Sequence, residues 1–198
     1  MSTHRDTGRA RRLAQFVAAV AAVGLGAVGA VLPAAGAYAN YCDGTPDPST
    51  STYVKPFTTG TTYPAYKGRV ICDTSTGSIH TGQDWYKSVN EFNEIATNKG
   101  VVIDKDYDTY MGYYLVIRIG DGNRIAYAHT THRYVDIGDT VAKGDVIAIS
   151  GESGTVTGDH EHYSMFKGSW NGWYSTHFYD PVSFLSGHGV TWTSTEWN

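Results

Sequence analysis

Residues 112–129, GYYLVIRIGDGNRIAYAH, set the first limit on the fold. Two runs of β-branched and aromatic residues flank residues 120–123, which have the chemistry of a tight hairpin turn. Such a run commits the chain to at least one antiparallel strand pair. The same texture recurs in GRVICD, NEIATNKGVVID and GDVIAISG, short apolar runs broken by Gly, Asp and Asn. Apart from the N-terminal leader, no stretch carries a capped 3.6-residue apolar period. The chain has 23 Gly and 15 Tyr, and strong helix formers are sparse. It is expected to be all-β and mostly antiparallel, in a sandwich or partly closed barrel.

The first 39 residues read differently. Arg5, Arg9, Arg11 and Arg12 precede an Ala/Val/Gly-rich run from Leu13 to Leu32, and AYA follows at residues 37–39. A basic start, an apolar middle and a small-residue site mark a secretory signal peptide cleaved between Ala39 and Asn40. The rival is an uncleaved anchor, since the run is long enough to span a bilayer, but its Ala and Gly make a weak membrane helix. The adjacent Arg11 and Arg12 permit a twin-arginine route. Residues 40–65, rich in Thr, Ser, Pro and Gly, are expected to form an extended arm, and residues 66–198 a single domain. In an exported chain the two cysteines, Cys42 and Cys72, read as one disulfide pinning the arm to that domain. Two thiol metal ligands are the alternative, but the separation lacks the closeness of C-x-x-C.

The formal charge is −4, and removal of a leader holding four of the arginines makes the remainder more acidic still. That argues against nucleic acid, which asks for a basic face, and it gives no electrostatic attraction to an anionic cell envelope. After cleavage no membrane contact is expected.

The histidines carry the chemistry. HTGQDW places Asp84 four residues after His80, YAHTTH ends a predicted strand on His129, and DHEH brings His160 and His162. Along a strand, His160 and His162 point to one face and Glu161 to the other. Two imidazoles on one face suit metal binding or proton transfer. His132, His177 and His188 read as ordinary loop residues.

Taken in order, HTGQD (H-x-G-x-D), YAH (Y-x-H), GDTVAKGDVI, GESG, HEH and DPVSFL resemble the lysostaphin/LytM-type (M23 family) zinc endopeptidases. These enzymes cut peptide cross-bridges in bacterial peptidoglycan. The resemblance runs from about Tyr66 to Leu185. It implies that family's β fold and one Zn²⁺ per chain, with His80, Asp84 and His162 as ligands. His129 and His160 would be the catalytic histidines, and peptides of peptidoglycan stems or cross-bridges the substrate. It further implies a monomer acting outside the cell or in the envelope. Catalytic zinc commonly takes three N/O ligands and leaves a fourth position open, which this set matches.

Where the family usually has Pro, Leu and Phe around H-x-H, this chain has Asp159, Glu161 and Tyr163. Glu161 is expected to lie at an exposed edge; the alternatives are pairing to Lys143 or Arg133, or a change, with Asp159, in the substrate groove or in a hydrogen bond behind the metal ligands. The aromatic stretch KGSWNGWYSTHFYD is expected to wall a peptide groove. A silent binder on the same scaffold would have lost a ligand or a catalytic histidine, and this chain keeps all five. A metal-sequestering protein would have no need of His129 and His160.

Overall fold

The computed structural model describes residues 42, 44–46, 49–59, 63–173 and 176–197. The leader and its A-x-A site lie outside the described residues. Among the described residues no helix is long and apolar enough to cross a membrane. The elements are β1 (Ala65–Lys67), β2 (Gln83–Lys87), β3 (Asn93–Ile95), β4 (Gly100–Asp108), β5 (Gly112–Ile119), β6 (Arg124–Ala128), β7 (His132–Arg133), β8 (Thr140–Val141), β9 (Val146–Ile149), β10 (Glu161–Phe166) and β11 (Phe178–Tyr179), with short helices α1 (Pro181–Gly187) and α2 (Ser194–Trp197).

The predicted hairpin is β5–β6, closed by hydrogen bonds from the Ile119 amide to the Asn123 carbonyl and from the Gly122 amide to the Ile119 carbonyl. Gly122 has φ +96°, the left-handed conformation that such a turn demands. The hairpin sits inside a large sheet ordered β1-β2-β10-β6-β5-β4-β8, with β11 also paired to β10; a second sheet is β3-β9-β7. Every strand pairing among the described residues is antiparallel. Neither sheet closes on itself. The all-β, mostly antiparallel, partly closed architecture expected from the sequence is what the chain adopts.

Strand alternation divides the large sheet into two faces. Trp85, Leu115, Ile117, Tyr127, Tyr163 and Met165 point to the side covered by Ile147 of the second sheet and by Phe184 and Leu185 of α1, and form the main core. Tyr114, Val116, Ala126, Ala128 and Phe166 point the other way, beneath Trp173 and Phe178. The second face carries the histidines.

Several local expectations need correction. GRVICD is not a strand: it turns at residues 71 and 72, and Cys72 has φ +65°. That bend lets the Cys72 amide donate to the His80 carbonyl and brings Cys72 within a Cα separation of 6.0 Å of Cys42, to which it is disulfide-bonded. The arm is extended, but it also contributes to the core. Tyr53 and Phe57 are buried, and Phe57 forms an isolated bridge to Glu94. His188 is more than a loop residue. It stacks on Phe184 with centroids 4.1 Å apart, and its Nε2 lies 3.1 Å from the Ser49 carbonyl, tying the arm to α1. The late Asp-Pro starts that helix: Asp180 accepts from the amides of Val182 and Ser183, and Pro181 sits in the first turn.

Glu161 is the largest departure. It is fully buried, because β10 lies between β2 and β6 with its Glu161 face under the second sheet. Neither proposed cation reaches it: Lys143 donates to Thr52 and Arg133 to the carbonyls of Asp106 and Tyr114. The charges that act on it are those of Glu94 on β3, also fully buried, Lys87 and Asp84. Among the described residues, none of the four carboxylate oxygens of Glu94 and Glu161 has a hydrogen-bond partner. Burial pushes both carboxyls well above the usual range, reinforced by the charge of Asp159 for Glu94 and by that of Glu94 for Glu161.

Candidate metal centre

Antiparallel pairing of β2 and β10 sets His162 directly opposite Asp84. His80 reaches the same place from the loop before β2, and Gly82 is what lets that loop pass. A Cβ at Gly82 would stand 2.4 Å from the Tyr163 carbonyl oxygen and 2.6 Å from Ser164 Oγ. The glycine of H-x-G-x-D is therefore a close-approach residue, and without it His80 could not fold back over β10.

The three inner donor atoms form a nearly equilateral triangle. His80 Nε2 is 3.0 Å from Asp84 Oδ1, His162 Nδ1 is 2.9 Å from Asp84 Oδ1, and the two ring nitrogens are 3.0 Å apart. All three residues are buried. The outer ring nitrogens fix the tautomers. His80 Nδ1 donates to the Val70 carbonyl at 3.0 Å, which leaves a lone pair on its Nε2. His162 Nε2 faces two hydroxyls, Ser164 Oγ at 2.9 Å and Thr81 Oγ1 at 3.2 Å, and donation there leaves the lone pair on Nδ1. Two imidazole lone pairs and a carboxylate then converge with no donor among them, an arrangement that calls for a cation. Bonds of 2.0–2.1 Å in a tetrahedral zinc site place neighbouring donors about 3.3 Å apart, so the residues present fit such an ion.

His129 and His160 flank the triangle. Their ring centroids are 4.7 Å apart, and His129 lies 5.7 Å from His162. His160 Nε2 is 3.7 Å from Asp84 Oδ2, the carboxylate oxygen that the triangle does not use. Both rings are oriented from behind: His129 Nδ1 donates to the Ser153 carbonyl at 2.9 Å and His160 Nδ1 to the Gly158 carbonyl at 2.8 Å. Each therefore presents Nε2 as an acceptor. His129 has φ +62°, rare for a side chain of this kind. The strained backbone turns the chain at the end of β6 and is held there by a bond from its amide to the Met111 carbonyl.

The electrostatics follow from burial and proximity. Burial alone would raise Asp84, but its close contacts with His162 and His80 overcome it and hold its carboxyl far below the usual range. Burial, reinforced by the charges of His162 and His160, lowers His129 to about 3. Burial lowers His162 to about 4, against the pull of Asp84. These histidines are neutral bases at physiological pH.

The five sequence-selected residues thus lie together, while His132 and His177 are exposed elsewhere. The aromatic stretch covers one side of the centre. Trp173 is buried with its ring 5.7 Å from that of His162, and Trp170 Nε1 donates to Asp104 Oδ2, which also accepts from Tyr114. Residues 174 and 175 of that stretch lie outside the described residues. Sequence reasoning missed Thr81 and Ser164, the hydroxyls behind His162. The signal for Ser164 was available, since a residue two beyond His162 on a strand shares its face.

Residues 78–175 match the model of peptidase family M23. The chain belongs to that family. The chain is 38% identical over 66 residues to peptidoglycan DD-endopeptidase ShyA of Vibrio cholerae, covering 33% of this chain and 15% of the relative. It is 36% identical over 92 residues to peptidoglycan DD-endopeptidase ShyC of the same organism, covering 46% and 21%. The catalytic domain of the antimicrobial peptidase lysostaphin from Staphylococcus simulans shares the fold of the M23 domain, with a TM-score of 0.53 and 25% identity over 63% of this chain and 93% of that one. The matches to ShyA and ShyC span about a fifth or less of those proteins' length.

Proposed function

We propose that this M23 protein is an exported zinc metalloendopeptidase that hydrolyses peptide bonds in peptidoglycan stems or cross-bridges. The observation that carries the reading is the convergence of His80 Nε2, Asp84 Oδ1 and His162 Nδ1 beside two further imidazoles that hold no place in that triangle. A zinc ion bound there would polarise the scissile carbonyl and make a water molecule acidic near neutral pH. The chain's own residues supply the rest. Asp84 stays ionised and offsets part of the cation's charge. His129, kept neutral by burial, takes a proton from the attacking water through Nε2. His160, more exposed and beside the second oxygen of Asp84, takes up a proton at Nε2 from solvent and gives it to the departing amine, while His129 releases its own proton to solvent. Thr81, Ser164 and the carbonyls of Val70, Ser153 and Gly158 hold the four rings in register.

Export through the leader of residues 1–39, action at the envelope and a monomeric state belong to the same proposal. The Cys42–Cys72 disulfide supports export, since such bonds persist in oxidising compartments.

The test incubates the protein, with one equivalent of zinc, against cross-linked peptidoglycans of several bridge types. New free amino groups are followed, and fragments are identified by mass spectrometry. Amines are expected only with metal present and are absent from a chelated sample. Tight zinc binding with no new amines on any wall would favour the silent binder.

A further inference from the structure

Along the β4–β5 hairpin lies an open cleft of about 500 Å³, lined by Lys105, Asp106, Tyr107, Tyr113, Arg133, Asp136 and Ile137. Tyr107 and Tyr113 oppose each other across the hairpin, on the face away from the histidines. Their rings are 5.0 Å apart at 67°, and they remain 52% and 44% exposed. Arg133 stacks on Tyr113 at 4.7 Å, and its guanidinium is fixed by the carbonyls of Asp106 and Tyr114. Lys105 is paired with Asp136 at 2.6 Å. The proposed mechanism uses none of these side chains.

The chemistry of this cleft selects its ligand. Two cations and two carboxylates balance, so no excess charge is offered to a phosphate or a polyanion. What is offered is a pair of exposed aromatic rings beside planar polar groups held at fixed positions. Aromatic faces of this kind pair an apolar body with polar edges. They suit a ring that is apolar on its C–H face and rimmed by hydroxyl and amide groups, a pyranose. The whole chain carries a formal charge of −4, so attachment to an anionic envelope has to come from stacking rather than from charge.

The cleft is also joined to the catalytic side. The Tyr113 amide donates to Ser153 Oγ at 2.9 Å, and the Ser153 carbonyl accepts from His129 Nδ1 at 2.9 Å. The Tyr113 carbonyl accepts from both the amide and the hydroxyl of Thr130. A ligand on the tyrosine wall is therefore held beside the loop that carries His129.

We infer that this cleft binds the glycan strand of peptidoglycan, a run of acetamido-sugar rings, and holds the enzyme next to the peptides that strand bears. The identity of the strand rests on the peptidase reading above. The test separates the two. The zinc-loaded protein is titrated with the uncharged hexamer of N-acetylglucosamine and with peptide-free glycan strands, and separately assayed on sugar-free cross-bridge peptides. Tyr107→Ala and Tyr113→Ala, singly and together, are compared with the parent. Thermal midpoint and zinc content are checked for each, and the single variants serve if the double variant fails to fold.

The expected result is saturable sugar binding that survives about 1 M salt, where charge effects are screened to roughly 3 Å, and that weakens about tenfold per tyrosine. Cleavage of sugar-free peptides stays unchanged in the variants while release from intact wall falls. Absence of sugar binding by the parent overturns the inference, as does equal binding by the double variant, binding lost in high salt, or a tyrosine-dependent self-association without sugar binding. Sugar binding without peptide cleavage would leave the cleft assigned and defeat the peptidase reading instead.

Discussion

His160→Ala and His129→Asn are each expected to lower kcat by about 10²–10⁴, the usual range for a lost general acid or base, with metal content unchanged. Asparagine is chosen at 129 because it tolerates the φ of +62° found there. Neither ring belongs to the converging triangle, and each is held through Nδ1 by a backbone carbonyl, Ser153 for His129 and Gly158 for His160. Removing them leaves His80, Asp84 and His162 with their own supports intact. Metal analysis after dialysis and single-turnover cleavage of a defined peptide make the check. Loss of metal in step with activity would mean that these histidines are ligands, and the division of roles would fall. Unchanged cleavage would remove them from the chemistry altogether. A protein that only stored metal would register neither substitution.

The grouping of these residues was legible in the sequence, for physical reasons. H-x-G-x-D works at short range: the loop must cross β10 closely, only glycine fits at position 82, and the spacing survives as a readable string. That His160 and His162 share a face follows from strand alternation, and Ser164, missed, obeys the same rule. The β5–β6 hairpin was equally local, two β-rich runs around a turn with Gly122. What escaped was set by neighbours distant in the chain. EHYSMF alternates like a half-exposed strand, but its place between β2 and β6 buries all six residues. No local pattern announces that order. The arm read as extended, with no sign that it enters the core, because its two buried anchors, Tyr53 and Phe57, are scattered among Thr, Ser and Pro. GRVICD has a strand's composition, yet Cys72 is drawn into a turn by its bonds to Cys42 and to the His80 carbonyl.

Glu161→Leu is expected to stabilise the chelated protein at neutral pH by about 1–3 kcal/mol, the desolvation penalty of a buried polar group left without partners. The side chain is fully buried, and among the described residues no hydrogen bond reaches either of its oxygens or those of Glu94. Leucine has a similar reach and belongs with Trp85, Tyr127 and Tyr163 on that face.

The dependence on pH identifies the cause. Both carboxyls have folded-state pKa values above the ordinary 4.5, so their contribution is intact below that value and is lost as pH rises through the folded values. His129 and His162, at about 3 and about 4, behave oppositely. Their contribution is present above 6.5 and is lost as pH falls through the folded values. The parent should therefore lose stability in both directions, whereas the leucine variant keeps the acid limb and has a shallower alkaline one. Urea midpoints at pH 5 and pH 8 decide the matter, and the advantage of leucine should be larger at pH 8. Lys87, attracted to Glu161, remains bonded to the Thr58 carbonyl, so its exposure to water need not change. A variant less stable than the parent at both pH values would show that the glutamate has a partner in solution that satisfies its charge.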